Sequence, residues 1–210
     1  MKMRNLLKQA TQLKKEKNIE GAIKALDEAY SKGFYEPPSS FTEDLSESNF
    51  DLVLNINDLV RKAKYLQELG KFNESIIYLD NLIVNTSLRA NYSVWEIDEL
   101  SKLHNHKAII LKKEKKFNDE FVERMKSFCL SGISATIKSQ SDDEFLKERF
   151  RKIQNDFLKV EFIKKFILDN SKKTKIEFNI DQFIMIVQKV IKLDYKTEKI
   201  HDEFIKLLKL

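Results

Sequence analysis

Leu59-Val60-Arg61-Lys62-Ala63-Lys64-Tyr65-Leu66-Gln67-Glu68-Leu69-Gly70-Lys71-Phe72-Asn73-Glu74-Ser75-Ile76-Ile77-Tyr78-Leu79-Asp80-Asn81-Leu82 carries the pattern that decides the fold. Leu59, Ala63 and Leu66 fall four and three residues apart, so they share one face of a helix. The polar stretch around Gly70-Lys71 interrupts the pattern. Ser75, Leu79 and Leu82 restart it, again a small residue followed by large apolar ones. Two amphipathic helices joined by a short turn satisfy both halves. The small side chains let the helices approach closely, and Phe72 at the turn can plug the end of the hairpin.

The pattern recurs on both sides. Upstream stand Leu6, Ala10 and Leu13, then Lys17-Asn18-Ile19-Glu20-Gly21-Ala22-Ile23, then Leu26 and Ala29. Downstream stand His104, Ala108 and Leu111, then Lys115-Lys116-Phe117-Asn118-Asp119-Glu120-Phe121, then Met125 and Phe128. The third copy matches in its first helix. In its second helix it slips by one residue, with Glu120 and Arg124 at the expected apolar positions, so it is either a degenerate copy or a different hairpin.

These segments resemble the tetratricopeptide repeat, over about residues 3–130. The resemblance implies an all-α, non-catalytic array of stacked hairpins. It also implies an inner groove lined by first-helix residues not used in packing. Carried onto this chain by the register of Ala10, Ala63 and Ala108, the groove positions are Arg4, Lys8, Thr11 and Lys14; Val60, Lys64 and Gln67; and Lys102, Asn105, Ile109 and Lys112. A mostly basic groove with a few apolar positions suits an acidic peptide or another carboxylate-bearing segment of a partner. The spacing departs from the family. Ala22 and Ser75 lie 53 residues apart, against a period of about 34. The excess is an acidic insertion at about 36–56, which contains Glu43, Asp44, Glu47 and Asp51 but no Lys or Arg. It is a candidate competitor for the same groove. A shorter insertion at about 87–94 separates the second and third hairpins.

Composition agrees with helices. The 210 residues include only four Gly and two Pro, the latter adjacent as Pro37-Pro38, whereas an all-β chain of this size needs many tight turns. A hydrophobic content of 42 % is enough to build a core. The formal net charge of +5 is modest for a duplex-binding domain. The single cysteine, Cys129, excludes an intramolecular disulfide and fits a reducing compartment. The first residues lack the apolar core of a signal peptide, and no apolar run approaches a membrane span. A cytoplasmic protein without membrane or cofactor is the expectation.

Beyond residue 130 the pattern changes. Ser141-Asp142-Asp143-Glu144 is a helix start, and a C-terminal helical segment over 141–210 is expected to pack on the array. Phe150, Ile153, Phe157 and Val160 recur at helical spacing and read as a core stripe. Read with Lys147, Arg149, Arg151 and Lys152, the phenylalanines also suit single-stranded nucleic acid. Lys175–Ile180 alternates like a strand but has nothing to pair with, so it is read as an extended connection. Two last helices are expected at about 181–193 and 197–208.

No reactive cluster assembles. His104 and His106 are two residues apart and point to different faces, whereas metal-ligating pairs on a helix stand three or four apart. Cys129 has no histidine nearby in sequence to activate it. The expected function is therefore protein binding: an adaptor, chaperone, immunity or inhibitor protein that uses the basic groove or the Phe-rich C-terminal helices. The alternative is a nucleic-acid-associated protein using its Lys-rich helices, distinguished by steep weakening as salt rises.

Overall fold

The computed structural model describes residues 2–35, 53–87 and 94–192, together with Asp202 and Lys206. The class is all-α. The acidic stretch from Glu36 to residue 52, the insertion near 88–93 and the helix expected at 197–208, apart from those two residues, lie outside the described residues. Two compact units divide the chain, Met1–Val84 and Asn85–Leu210. The third hairpin lies in the same unit as the C-terminal helices, because its second helix is the one they pack on.

The first unit begins with helices α1 (Met3–Lys15) and α2 (Ile19–Lys32), packed as a hairpin. Two-residue strands β1 (Phe34–Tyr35) and β2 (Val53–Leu54) pair in parallel, Phe34 with Val53 and Tyr35 with Leu54. They hold together the two ends of the acidic segment. Helices α3 (Ile56–Glu68) and α4 (from Phe72, ending at Ser87) follow. Asn55 caps α3 reciprocally: its side chain accepts from Asp58 N–H, and the Asp58 carboxylate accepts from Asn55 N–H. The small positions act as close-approach points. Ala10, Ala22, Ala63 and Ser75 are fully buried, and Ser75 Oγ donates to Ala63 O at 2.8 Å. The α2–α3 junction is fixed by Tyr30 Oη, which donates to Asp58 O at 2.5 Å.

The second unit comprises α5 (Val94–Lys113), α6 (Phe117–Lys138), α7 (Glu144–Leu158), α8 (Val160–Ser171) and α9 (Ile180–Ile191). Helix α6 is its axis, touching all four others. Gly132 allows α9 to approach: a Cβ there would stand 2.7 Å from an Ile191 side-chain carbon. Thr136 Oγ1 lies 2.9 Å from Ile191 O at the same crossing. Two aromatic groups flank the axis. Phe121 stacks on Phe178 at 5.5 Å and tilts against Phe183 at 5.8 Å. Phe128 meets Phe157 at 5.0 Å and Phe166 at 4.3 Å. Residues 175–179 are the extended connection, and Phe178 anchors it.

The Phe150–Val160 core stripe needs correction. The helix breaks at Lys159, whose backbone is extended, so Val160 starts a new helix and is 46 % exposed. Phe150 and Phe157 are half-buried, and α7 buries none of its residues fully.

Among the described residues no helix is long and apolar enough to cross a membrane.

Three of the inter-helix turns, those after α1, α3 and α5, are built alike. Lys17, Gly70 and Lys115 adopt positive φ, at 62°, 73° and 60°. The next residue donates its N–H five residues back in each: Asn18 to Leu13 O, Lys71 to Leu66 O and Lys116 to Leu111 O, all at 2.9 Å. The positive-φ residues themselves donate three back, to Lys14, Gln67 and Lys112. This pair of bonds is the Schellman arrangement, which satisfies carbonyls at the end of a helix and reverses the chain.

Candidate functional site

In the first unit the expected groove residues divide into three groups. Arg4 and Lys14 are engaged in structure. Arg4 donates to Val53 O at 3.0 Å and faces Asp58 at 3.8 Å, so it ties α1 to the strand pair. Lys14 pairs with Glu68 at 2.7 Å and lies over the Tyr65 ring at 5.3 Å. Thr11 accepts from Arg61 at 2.8 Å while donating to Leu7 O. Lys8 and Lys64 are exposed, and Gln67 is half-buried. Val60 is a correction: at 2 % exposure it belongs to the core. Its turn of α3 already buries Ile56, Leu59 and Ala63, and Val60 widens that apolar stripe.

In the second unit Lys102, Asn105, Ile109 and Lys112 lie at spacings of three, four and three along α5 and so share one face. Lys102 and Lys112 are exposed, and Ile109 is 36 % exposed. Asn105 Oδ1 accepts from Arg124 Nη1 at 3.2 Å, and Arg124 Nε donates to Glu120 at 3.1 Å. The one-residue slip therefore has a structural result. Glu120 and Arg124, expected as misplaced core residues, pair beside the α5 face, while Phe121 and Met125 fill the core with no exposed surface.

A buried charge cluster was not anticipated. Glu123 is paired with Lys126 at 3.1 Å, Lys107 at 3.3 Å and His104 Nδ1 at 2.5 Å. Burial pushes the Glu123 carboxyl up, but the His104 hydrogen bond and the two lysines outweigh it and hold the group below its usual range. Burial draws the His104 pKa down, despite the bond to Glu123. With two ammonium groups already on the carboxylate, the imidazole sits neutral and donates its Nδ1–H. Nothing in the sequence marked it, because Glu123 stands among other charged residues, Asp119, Glu120, Arg124 and Lys126. Glu99, 5 % exposed, is another buried carboxyl; burial pushes it up to about 7, against a smaller pull from Lys102.

Cys129 is fully buried, and burial raises its thiol far above the usual range. Among the described residues no three His, Cys, Asp or Glu side chains converge as metal ligands.

Protein-family models, curated proteins and solved structures were each compared with the chain, and none of the three comparisons finds a match.

Proposed function

We propose that this chain is a non-catalytic interaction scaffold whose helical hairpins, similar to tetratricopeptide repeats, hold an acidic segment of a partner protein against their basic first-helix faces. The observation that carries the reading is the α5 stripe, where exposed Ile109 stands between exposed Lys102 and Lys112. Among the described residues neither lysine has a carboxylate at ion-pair distance. An apolar contact flanked by two cations favours an apolar residue flanked by acidic ones. Charge then steers and orients the segment, while the apolar contact adds affinity. A helix packed along its hairpin partner is already ordered, so little conformational entropy is lost on binding. Lys8 and Lys64 offer a smaller basic face in the first unit.

The test is fluorescence anisotropy with a labelled acidic peptide carrying a central leucine. Lys102→Glu with Lys112→Glu should weaken binding about tenfold or more, and Ile109→Asp should do the same. Unchanged affinity in both variants would overturn the reading. So would tighter binding of a single-stranded oligonucleotide, with affinity falling linearly in log salt, which would favour the nucleic-acid alternative.

A further inference from the structure

We propose that the turn between α5 and α6 forms a binding site for a phosphate monoester group, separate from the α5 stripe and sharing no residue with it. A cavity of about 310 Å³ opens there. Four lysines line it, from two stretches far apart in sequence: Lys115 and Lys116 from the turn, Lys173 and Lys175 from the connection between α8 and α9. The two stretches are fastened together. Lys175 N–H donates to Asn118 Oδ1 at 3.4 Å, and Lys173 Nζ lies 5.2 Å from the Phe117 ring centroid. Phe178 is held against Phe121 just beyond.

The charge around this cavity is unbalanced. Lys116 faces Glu114 at 3.8 Å, and Asp119 is the one acidic side chain in the lining. Among the described residues Lys115, Lys173 and Lys175 have no carboxylate at ion-pair distance. Four cations against two anions leave two positive charges. A phosphate monoester carries between one and a half and two negative charges at neutral pH and has three acceptor oxygens, so it matches both the charge and the donors. The contrast is with the larger cleft of the first unit, about 590 Å³, where Glu20, Asp27 and Glu74 offset Lys24, Lys62 and Lys71. Clustering like charges in one cavity is unfavourable without a counter-charge, and of these two cavities the one at the α5–α6 turn does it. The monoester could come from a free small molecule or from a phosphorylated side chain of a partner.

The experiment follows the backbone amides of residues 116–120 by NMR at low salt. Three probes are titrated: inorganic phosphate, a short phosphoserine peptide and its unphosphorylated form. Phosphate and the phosphopeptide should shift these amides, and the unphosphorylated peptide should not. Lys173→Gln with Lys175→Gln should weaken phosphate binding about tenfold or more. Lys164→Gln with Lys165→Gln, on the exposed side of α8, changes the charge equally and should leave it intact. A phosphopeptide at least tenfold tighter than phosphate assigns the site to a phosphorylated partner; equal affinities assign it to a small molecule. Silent amides, equal losses in both double variants, or equal binding of the two peptides would overturn the proposal.

Discussion

The hairpins α1–α2 and α5–α6 reverse the chain through the same hydrogen bonds and then bury opposite kinds of surface. After Lys17, helix α2 presents Ala22, Ala25, Leu26 and Ala29 to its neighbours. After Lys115, helix α6 presents Phe121, Met125 and Phe128, and its face is rotated by one residue. The turn is a local matter, fixed by a few backbone bonds. The buried face is not: α2 is covered by α1 and α3, whereas α6 must also receive α7, α8 and α9. A helix packed on several sides needs larger side chains and tolerates no simple two-helix stripe.

The largest effect that tests this contrast is Phe121→Ala. Phe121 has no exposed surface and two aromatic neighbours, so its loss should cost about 3–5 kcal/mol in denaturant unfolding. Glu120, which would be the core position had the register been kept, is also buried, but it is engaged in an ion pair with half-buried Arg124 at 3.1 Å. Glu120→Ala should cost less, about 1–2 kcal/mol, because it removes an ion pair whose Arg124 end can turn to water rather than opening a core cavity. Equal losses would mean that the two hairpins pack alike after all.

Buried charge gives the next effect, and again it belongs to the second unit. Glu99 titrates near 7 when folded and near its ordinary value when unfolded. The folded state then binds the extra proton, so stability falls as pH rises from about 4.5 to about 7 and is flat above. Glu123 has the opposite sign: its contribution is present above the ordinary carboxyl range and is lost as pH falls below it. Glu99→Gln should leave stability near wild type at pH 4 and raise it by about 2–3 kcal/mol at pH 8. A pH-independent difference between variant and wild type would refute this assignment.

Two glycines sharpen the comparison further. A Cβ at Gly21 and one at Gly132 would each meet another side chain at 2.7 Å. At Gly21 that neighbour is Asn18, the exposed cap of α2, which can turn away. At Gly132 it is Ile191, buried between two helices. Gly132→Ala should therefore lose about 1–2 kcal/mol even after alanine's gain in helix propensity, while Gly21→Ala should come out near zero. Thermal unfolding of the pair, measured side by side, checks the difference.

Helices and close-approach residues were legible because spacing along one face encodes them. Ala10, Ala22, Ala63, Ala108 and Ser75 are all fully buried, at the positions their register gave. The groove was legible only in part. Spacing says which residues share a face, but not which are engaged by a partner on another helix. Arg4 and Lys14 look identical to Lys8 in sequence, yet Val53 O and Glu68 engage them. Val60 fell in the core because the apolar stripe of α3 is wider than the repeat pattern requires. The Glu123 cluster needed three-dimensional information, since Lys107 and His104 reach it from another helix. The break at Lys159 carries neither Gly nor Pro and was invisible for that reason.

The turns supply the smallest effect and the finest test of their equivalence. Lys17 and Lys115 hold a left-handed backbone that glycine adopts without penalty, as Gly70 does in the second hairpin. Lys17→Gly removes that strain but adds disorder to the unfolded chain, so the net gain should be about 0.5–1 kcal/mol. Gly70→Lys should lose a similar amount, and its Cβ meets nothing within 4 Å, so sterics with neighbours do not contribute. Lys115→Gly should match Lys17→Gly if the three turns are interchangeable units. If Lys115→Gly stabilises markedly more, the excess measures repulsion relieved among the lysines of the α5–α6 cavity, and it should shrink as salt is added.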